Sequence, residues 1–208
     1  MKETALVIYR KLRTEYGDVG TFLNHESPFQ LLIAVILSAQ CTDERVNKVT
    51  PELFNAYPTA QNLSQAALDD IKEKIKSINF FNNKAINIKE TARIITKEYK
   101  GVVPKELSLL VKLPGVGRKT ANVLRGQVFN ESAITVDTHV NRLSTRIGFS
   151  LQKDPVKKEY ELMQCWPKNI WTDLSSLLIL HGRAICTARK ADCRRCCINM
   201  NCQKNTLK

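Results

Sequence analysis

Four cysteines lie close together near the carboxyl end of the chain, as the ligands of a metal centre do. They lie within the last 23 residues at the spacing C-x6-C-x2-C-x5-C: Cys186, Cys193, Cys196 and Cys202. A segment this short, with few large apolar residues, cannot hold itself together by packing, whereas four thiolates around a metal centre could hold it. Four cysteines suit zinc or a [4Fe–4S] cluster, and the spacing alone does not choose between them. Cys197 is predicted to be a bystander, and Cys41 and Cys165 are predicted to be core residues.

A glycine turn and a lysine stand together between two helical patterns. The segment Leu113-Pro-Gly-Val-Gly-Arg-Lys-Thr-Ala-Asn122 holds two of the chain's eight glycines, Gly115 and Gly117. The N–H groups of such a turn, and of the helix that follows, can bind a phosphate without contacting a base. Lys119 falls in the first turn of that helix, where the helix dipole and Arg118 disfavour an ammonium. A free amine there could serve as a Schiff-base nucleophile; an ordinary helical hairpin with a phosphate-binding lysine is the plainer alternative.

Asp137 is the second residue with two possible roles. It follows the apolar segment Ile134-Thr-Val136 and precedes a helical pattern, so it could simply be the N-cap of that helix. It could instead present a carboxylate to a reacting sugar. His139 and His181 are predicted to be structural residues.

The elements that must position these residues are helical almost throughout. Apolar residues recur at helical spacing near the amino terminus and again from 85 to 99. The run from Phe29 to Gln40 is apolar nearly all round, which predicts a central, buried helix starting after Pro28. Further helices are predicted at about 43–57, 64–77, 106–112, 118–129, 138–148, 154–165 and 170–186. Val102–Val103 and 134–136 are too short to form strands of consequence, so the predicted fold class is all-α.

The charge balance points to a polyanionic partner. Thirty-two Lys and Arg against twenty Asp and Glu give a net charge of +12. Much of it is local, since one acid, Asp192, stands among seven basic residues near the carboxyl end: Arg183, Arg189, Lys190, Arg194, Arg195, Lys204 and Lys208. A general basic protein, such as a ribosomal one, has the same footprint. No apolar run reaches the length of a membrane span, and the first residues lack a signal-peptide pattern, so a cytoplasmic protein without a membrane partner is expected.

Taken together, these motifs resemble the endonuclease III family of helix–hairpin–helix DNA glycosylases. The resemblance is carried by four segments: Leu37-Ser-Ala-Gln-Cys-Thr-Asp43, the glycine turn 113–122, Val136-Asp-Thr-His139, and His181-Gly-Arg183 with the four cysteines. It runs from about residue 3 to 204. It implies a six-helix barrel domain over 22–131, with the helix–hairpin–helix at about 106–127. It also implies a discontinuous iron–sulfur cluster domain, formed by 1–21 and 132–208 with the cluster loop 186–202, and a DNA cleft between the two domains.

The resemblance also implies roles for individual residues. Lys119 would be the nucleophile and Asp137 its carboxylate partner, and the four cysteines would bind [4Fe–4S] rather than zinc. Gln40 would probe the gap left by an extruded base, while Phe80 or Phe81 would wedge the base stack. Further contacts to DNA are expected from Gly115, Val116, Gly117, Arg118, Arg189, Lys190 and Arg194.

The implied function is base-excision repair. The enzyme would remove damaged pyrimidines from duplex DNA as an N-glycosylase, and would cleave the resulting abasic site by β-elimination through a lysine Schiff base. It is expected to act as a monomer. The alternatives are an adenine-mismatch glycosylase and a non-catalytic iron–sulfur module that binds DNA or senses redox state. Two departures from the family pattern bear on specificity: the wedge segment reads Ile78-Asn-Phe-Phe81, and Val111 stands where many relatives carry a glutamate.

Overall fold

The fold is all-α, as predicted. The computed structural model describes residues 1–206, so Lys208 lies outside the described residues. Within them there is no β-strand, and an isolated antiparallel bridge joins Cys186 and Ala191. The first helices along the chain are α1 (Lys2–Tyr16), α2 (Pro28–Ser38), α3 (Asp43–Ala56), α4 (Ala60–Gln65), α5 (Leu68–Ile75) and α6 (Phe81–Glu98). They are followed by α7 (Leu107–Leu110), α8 (Arg118–Gln127), α9 (Thr138–Ile147), α10 (Pro155–Cys165), α11 (Trp171–Ala184) and α12 (Gln203–Thr206), with 3₁₀ turns at Lys168–Ile170 and Asn199–Asn201.

The chain divides into two compact units. One, which we call the hairpin unit, is continuous and comprises Thr21–Phe129. The other, the cysteine unit, combines Met1–Gly20 with the chain from Asn130 on. Each unit has a hydrophobic core of its own.

The centre of the hairpin unit is α2. Every side chain from Phe29 to Leu37 is buried, so the helix has no solvent-facing stripe, as expected of an element that is apolar all round. Its start is fixed by the side chain of Ser27, which accepts a hydrogen bond from the N–H of Gln30 at 3.2 Å, and by Pro28 in the first helical position. The predicted central helix is therefore confirmed. Among residues 1–206, no helix is long and apolar enough to cross a membrane.

The prediction of a single helix over 64–77 is wrong. Two short helices, α4 and α5, stand there instead, and the backbone between them is extended at Ala66 and Ala67. The first begins earlier than predicted because the hydroxyl of Thr59 accepts the N–H of Asn62 at 3.2 Å and caps it. Alanine has the highest intrinsic helix propensity, but tertiary packing overrides propensity, so the two alanines and the apolar pattern hid the break.

The core of the cysteine unit is built from α1, α9, α10 and α11. Ala5, Ile8 and Leu12 recur at helical spacing on α1 and are fully buried. Trp166, which follows α10, is 1% exposed and packs edge to face on Phe149. This core supports the two features of interest in the unit, the start of α9 and the cysteine-bearing segment after α11.

Candidate functional site

The glycine turn is held in place by the core of the hairpin unit. Gly115 has a φ of +77°, and a Cβ at this position would lie 3.0 Å from Cγ2 of Ile36 on α2. Both the backbone angle and the close approach require glycine here. Thr91 of α6 donates to the carbonyl of Pro114 at 2.9 Å, which fixes the turn from a second side. The turn is thus preformed, as a phosphate-binding loop needs to be.

Gly117 has a different part in the turn. It is the N-cap residue of α8 in an ordinary extended conformation, and nothing lies within 4 Å of where a Cβ would be. The helical ladder starts with the N–H of Ala121 bonding to the carbonyl of Gly117, so the N–H groups of 118–120 precede it. A glycine cap has no side chain to occupy them. The helix therefore begins with open space and a concentration of donors, which favours an anion.

Lys119 is the second residue of α8, and its side chain is exposed. It stands directly beside the N-terminal donors just described. The predicted placement in the first helical turn is what the structure shows. An extended lysine at an anion-binding helix start can reach either a phosphate or the sugar attached to it.

Val116 anchors the turn to the core of the hairpin unit. Its side chain is only 6% exposed, and its N–H donates to the carbonyl of Leu113 at 3.0 Å. A contact from Val116 to DNA stays a prediction.

Gln40 and the two phenylalanines lie on two loops of the hairpin unit. Gln40, just beyond α2, is exposed and has a φ of +54°. Phe80 is the N-cap of α6, has a φ of +58° and is 63% exposed, whereas Phe81 is half buried and packs against the core. Of the two candidate wedge residues, Phe80 is the one whose ring is exposed and not packed against the core. Cys41, predicted as a core residue on a helix, lies in the loop after α2 and only borders the core.

Asp137 begins α9 and caps it. Its Oδ1 accepts hydrogen bonds from the N–H groups of His139 and Val140, both at 2.8 Å. The segment before it is tied to α11, where the hydroxyl of Ser175 accepts the N–H of Thr135 at 3.3 Å. The capping role is thus real. Since both caps end on Oδ1, capping makes no use of Oδ2, and the carboxylate keeps a second oxygen for chemistry.

Arg142 of α9 links this helix to α11 and to the residue Cys186 that follows it. Its guanidinium donates to the carbonyl of Gly182 at 2.9 Å and to that of Cys186 at 3.0 Å, and also lies 3.1 Å from Nδ1 of His139. Any Cβ on Gly182 would come within 2.8 Å of the same imidazole, so the helices touch closely there. Burial lowers the pKa of His139, although Asp137 acts in the opposite direction. The histidine is structural, as predicted.

The four cysteines line one pocket of the cysteine unit. The pocket is partly open to solvent and is bordered also by the apolar side chains of Leu143 and Ile198. Its cysteines are the predicted ones: Cys186, Cys193, Cys196 and Cys202. Cys197 does not line it, and Cys165 is buried in the core, as predicted. The sequence motif and the fold thus bring the same four sulfurs together.

Residues of α9 and α11 contact three of these sulfurs, two of them through side chains and one through a backbone carbonyl. Arg146 of α9 donates to Sγ of Cys186 at 3.2 Å and to the carbonyl of Thr187 at 2.8 Å. Nε2 of His181 lies 3.3 Å from Sγ of Cys196. Sγ of Cys202 lies 3.2 Å from the carbonyl of Arg146. Sequence reasoning missed Arg142 and Arg146, because the groups that they contact lie about 40 residues away along the chain. The motif His181-Gly-Arg183 was the one sequence feature that pointed to this site.

A partly buried chain of polar groups ends at Cys196. The hydroxyl of Tyr16 lies 2.7 Å from Nδ1 of His181. Burial raises the pKa of Tyr16 to about 12 and lowers the pKa of His181 to about 4. Burial also raises the pKa of the Cys196 thiol to about 11, so this sulfur becomes a thiolate at neutral pH only with a cation bound to it.

The predicted basic contacts of the cysteine segment are on the surface. Arg189, Lys190 and Arg194 are all exposed, as is Arg195. They lie close in sequence to the pocket-lining cysteines, on the exposed surface of the same segment. Such a patch suits the phosphates of a nucleic acid.

Comparison with known proteins now places the chain. The model of the HhH-GPD superfamily of base excision DNA repair proteins matches residues 33–168. The endonuclease III of Synechocystis sp. is 47% identical over 94% of this chain and 90% of its own length. The chain belongs to the endonuclease III family. Endonuclease III has been solved in a non-covalent complex with DNA, and that structure covers 100% of this chain and 97% of its own, with a TM-score of 0.92 and 39% identity.

A second endonuclease III structure, of a trapped covalent intermediate with DNA, has the same TM-score of 0.92 and 39% identity, and covers 100% of this chain and 98% of its own. The resemblance stated from the four sequence segments is therefore confirmed. So is the fold class, a helix–hairpin–helix glycosylase architecture.

Proposed function

We propose that this chain is a base-excision repair enzyme that removes damaged pyrimidines from duplex DNA and then cuts the strand at the abasic site. The observation that carries the proposal is an exposed lysine in the first turn of α8, directly after the glycine turn, in a family of which one member has been trapped covalently on DNA. A covalent intermediate requires a nucleophile, and an amine is what forms an imine with a sugar. An adenine-mismatch enzyme that uses water would not need an amine nucleophile. A module that only binds DNA could use the lysine for a phosphate contact, but it would not need Asp137 as well.

Lys119 is assigned as that nucleophile. Its free amine attacks C1′ of the damaged nucleotide, the bond from C1′ to the base breaks, and the base leaves with the bonding electrons. Opening of the sugar ring then gives an imine between Nζ and C1′. Loss of a proton from C2′ expels the 3′ phosphate, which cuts the strand, and water finally releases the lysine. The N–H groups at the start of α8 hold a neighbouring phosphate meanwhile, without reading sequence.

Asp137 is assigned as the carboxylate of the reaction. Base departure develops positive charge on the sugar, and a carboxylate stabilises that charge while it forms. The attack also releases a proton from the amine, which a carboxylate can accept. Its Oδ1 is held by two backbone N–H groups, so the remaining oxygen has a fixed direction. A capped and therefore immobile carboxylate suits both tasks.

Gln40, Phe80 and the basic surface are assigned to binding. The target carbon is inaccessible in a stacked duplex, so the nucleotide must be extruded at a cost of roughly a few kcal/mol. An exposed aromatic ring that fills the vacated stack offsets part of this cost, and Phe80 is the exposed one. Arg118, together with Arg189, Lys190 and Arg194, supplies phosphate contacts. The chain is proposed to act as a monomer in the cytoplasm, associated with the nucleoid when bound to DNA.

We also propose that Cys186, Cys193, Cys196 and Cys202 bind a [4Fe–4S] cluster. Four cysteines on one pocket fit four-thiolate ligation. The resemblance to the endonuclease III family implies a [4Fe–4S] cluster in place of zinc, and such a cluster would supply a structural centre for the segment.

The test is a comparison of two duplexes, one with an oxidised pyrimidine and one with a ready-made abasic site. The proposal predicts base release from the first, strand cleavage 3′ to the site in both, and covalent attachment to the abasic strand when borohydride is present. Base release without cleavage or trapping would indicate a monofunctional glycosylase. Tight binding with neither reaction would indicate a non-catalytic module.

A further inference from the structure

The Gln40 and Phe80 loops, which the proposed function places in the base stack of the DNA, are connected to each other by hydrogen bonds. Gln40 and Phe80 both adopt the left-handed backbone conformation, with φ of +54° and +58°. This conformation is uncommon for residues other than glycine and persists only where neighbouring contacts hold it. Both side chains are exposed, so their own packing does not impose it. The contacts that hold the backbone must come from elsewhere.

Asn79, the residue before Phe80, provides one such contact. Its side-chain amide donates to the backbone carbonyl of Gln40 at 2.8 Å, across 39 positions of sequence. The bond connects the residue that precedes the wedge directly to the residue that fills the gap. Asn79 is itself exposed, so the contact lies at the surface where both loops project.

Lys84 provides the second contact from the first turns of α6. Its ammonium donates to the carbonyls of Leu37 and Ala39 at 2.7 and 2.6 Å. These carbonyls belong to the end of α2 and the loop after it, where helix carbonyls lack helical partners and a cation is favoured. The side chain is only 6% exposed, and burial lowers the pKa of Lys84. The two hydrogen bonds to this loop therefore offset the cost of burying a charged lysine.

We propose that Asn79 and Lys84 are positioning residues that fasten the Gln40 and Phe80 loops into one preformed probe. The inference rests on the proposed function, since it concerns how the two side chains enter the duplex. Two loose loops would each lose conformational freedom on insertion, and prior fixation removes that cost. With the loops joined, filling the gap and wedging the stack become a single event. Asn79 does not touch the DNA in this account; it acts through Gln40.

The experiment uses the whole protein and a lesion duplex with 2-aminopurine beside the lesion, whose fluorescence rises as the stack opens. Asn79→Ala should slow the rise roughly two- to tenfold, the range expected for one lost hydrogen bond. Binding to undamaged duplex should not change, because no charge is removed. Asn82→Ala, which removes another exposed amide two residues into α6, is the matched control and should behave as wild type. Lys84→Met tests the buried contact, with thermal unfolding measured alongside.

A mutant cycle separates positioning from general structural support. If Asn79 acts by positioning the two probe side chains, its replacement should have almost no further effect in a background that carries both Gln40→Ala and Phe80→Ala. A full-sized effect of Asn79→Ala in that background, or a wild-type rate of stack opening in the single variant, would overturn the inference. Failure of the proposed function looks different, since the wild-type protein itself would then neither cleave an abasic strand nor attach to it under borohydride.

Discussion

Nε2 of His181 lies 3.3 Å from Sγ of Cys196, and the hydroxyl of Tyr16 lies 2.7 Å from Nδ1 of the same ring. With the proposed cluster bound, Cys196 would be a thiolate, which can only accept a hydrogen bond, so Nε2 would be the donor. Nδ1 would then accept from the hydroxyl of Tyr16. The proposed cluster thus implies a directed chain of donors from Tyr16 through His181 to the sulfur of Cys196.

Replacement of His181 should therefore change the reduction potential of the proposed cluster. A donor to a ligand sulfur stabilises the reduced, more negative state, so His181→Phe should lower the reduction potential. One hydrogen bond of about 0.5–1.5 kcal/mol corresponds to roughly 20–60 mV for one electron. Tyr16→Phe should shift it in the same direction by less. Spectroelectrochemistry on fully loaded protein measures the shift, and an unchanged potential in His181→Phe would show that the contact is not a hydrogen bond to the cluster.

Cys193 and Cys197 provide a test of the metal assignment. Cys193→Ser should give colourless protein of low solubility and reduced stability, because the segment after α11 loses its organising centre. Cys197→Ser should keep the brown colour, since Cys197 borders the core and does not line the pocket. Iron, sulfide and zinc analysis of the three proteins decides the matter. Zinc in place of iron and sulfide in the wild type would contradict the cluster.

The two glycines of the hairpin should differ in what their replacement costs. Gly115→Ala forces a positive φ on alanine and brings Cβ to 3.0 Å from Ile36, so we expect a loss of about 1–3 kcal/mol and a lower melting temperature. Gly117→Ser meets open space and places a good capping residue, so stability should hold or rise. Its hydroxyl would occupy an N–H needed for phosphate, and affinity for duplex should fall. Calorimetry and DNA titration of both variants check this; equal effects on stability would be the contrary result.

Asp137→Asn separates the cap from the chemistry. Asparagine caps a helix about as well as aspartate, so α9 and the fold should survive. Binding to duplex should be unchanged or stronger, because a negative charge near phosphates is removed. Base release should slow by roughly two to three orders of magnitude, as on loss of an electrostatic group in other active sites, while cleavage of a ready-made abasic site should suffer less. A normal rate of base release would leave Asp137 as a helix cap only.

Local patterns predicted much of this molecule. The central helix α2 followed from its continuous apolar run, and the cap at Asp137 from one acidic residue before a helical pattern. The four pocket-lining cysteines followed from density and spacing in a short segment. Each of these features is set by residues close together in sequence, where periodicity, capping and turn chemistry operate.

Features set by distant residues could not be predicted in the same way. The hydrogen bond from Asn79 to Gln40 and the guanidinium of Arg146 at Cys186 each span about 40 positions, and no local pattern marks either. Tyr16 reaches His181 across 165 positions. The break between α4 and α5 was missed for a related reason, since tertiary packing can override the high helix propensity of alanine at 66 and 67.

The central claim is that Lys119 forms the covalent bond to DNA, and borohydride trapping on an abasic duplex tests it most directly. Lys119→Ala and Lys119→Gln should lose trapping and strand cleavage, while stability and salt-dependent binding to undamaged duplex survive, because one exposed lysine is a small part of a net charge of +12. Lys112→Ala, which removes an exposed lysine from the same hairpin, should trap like wild type. Trapping by Lys119→Ala at near wild-type yield would contradict the assignment and make another amine the nucleophile.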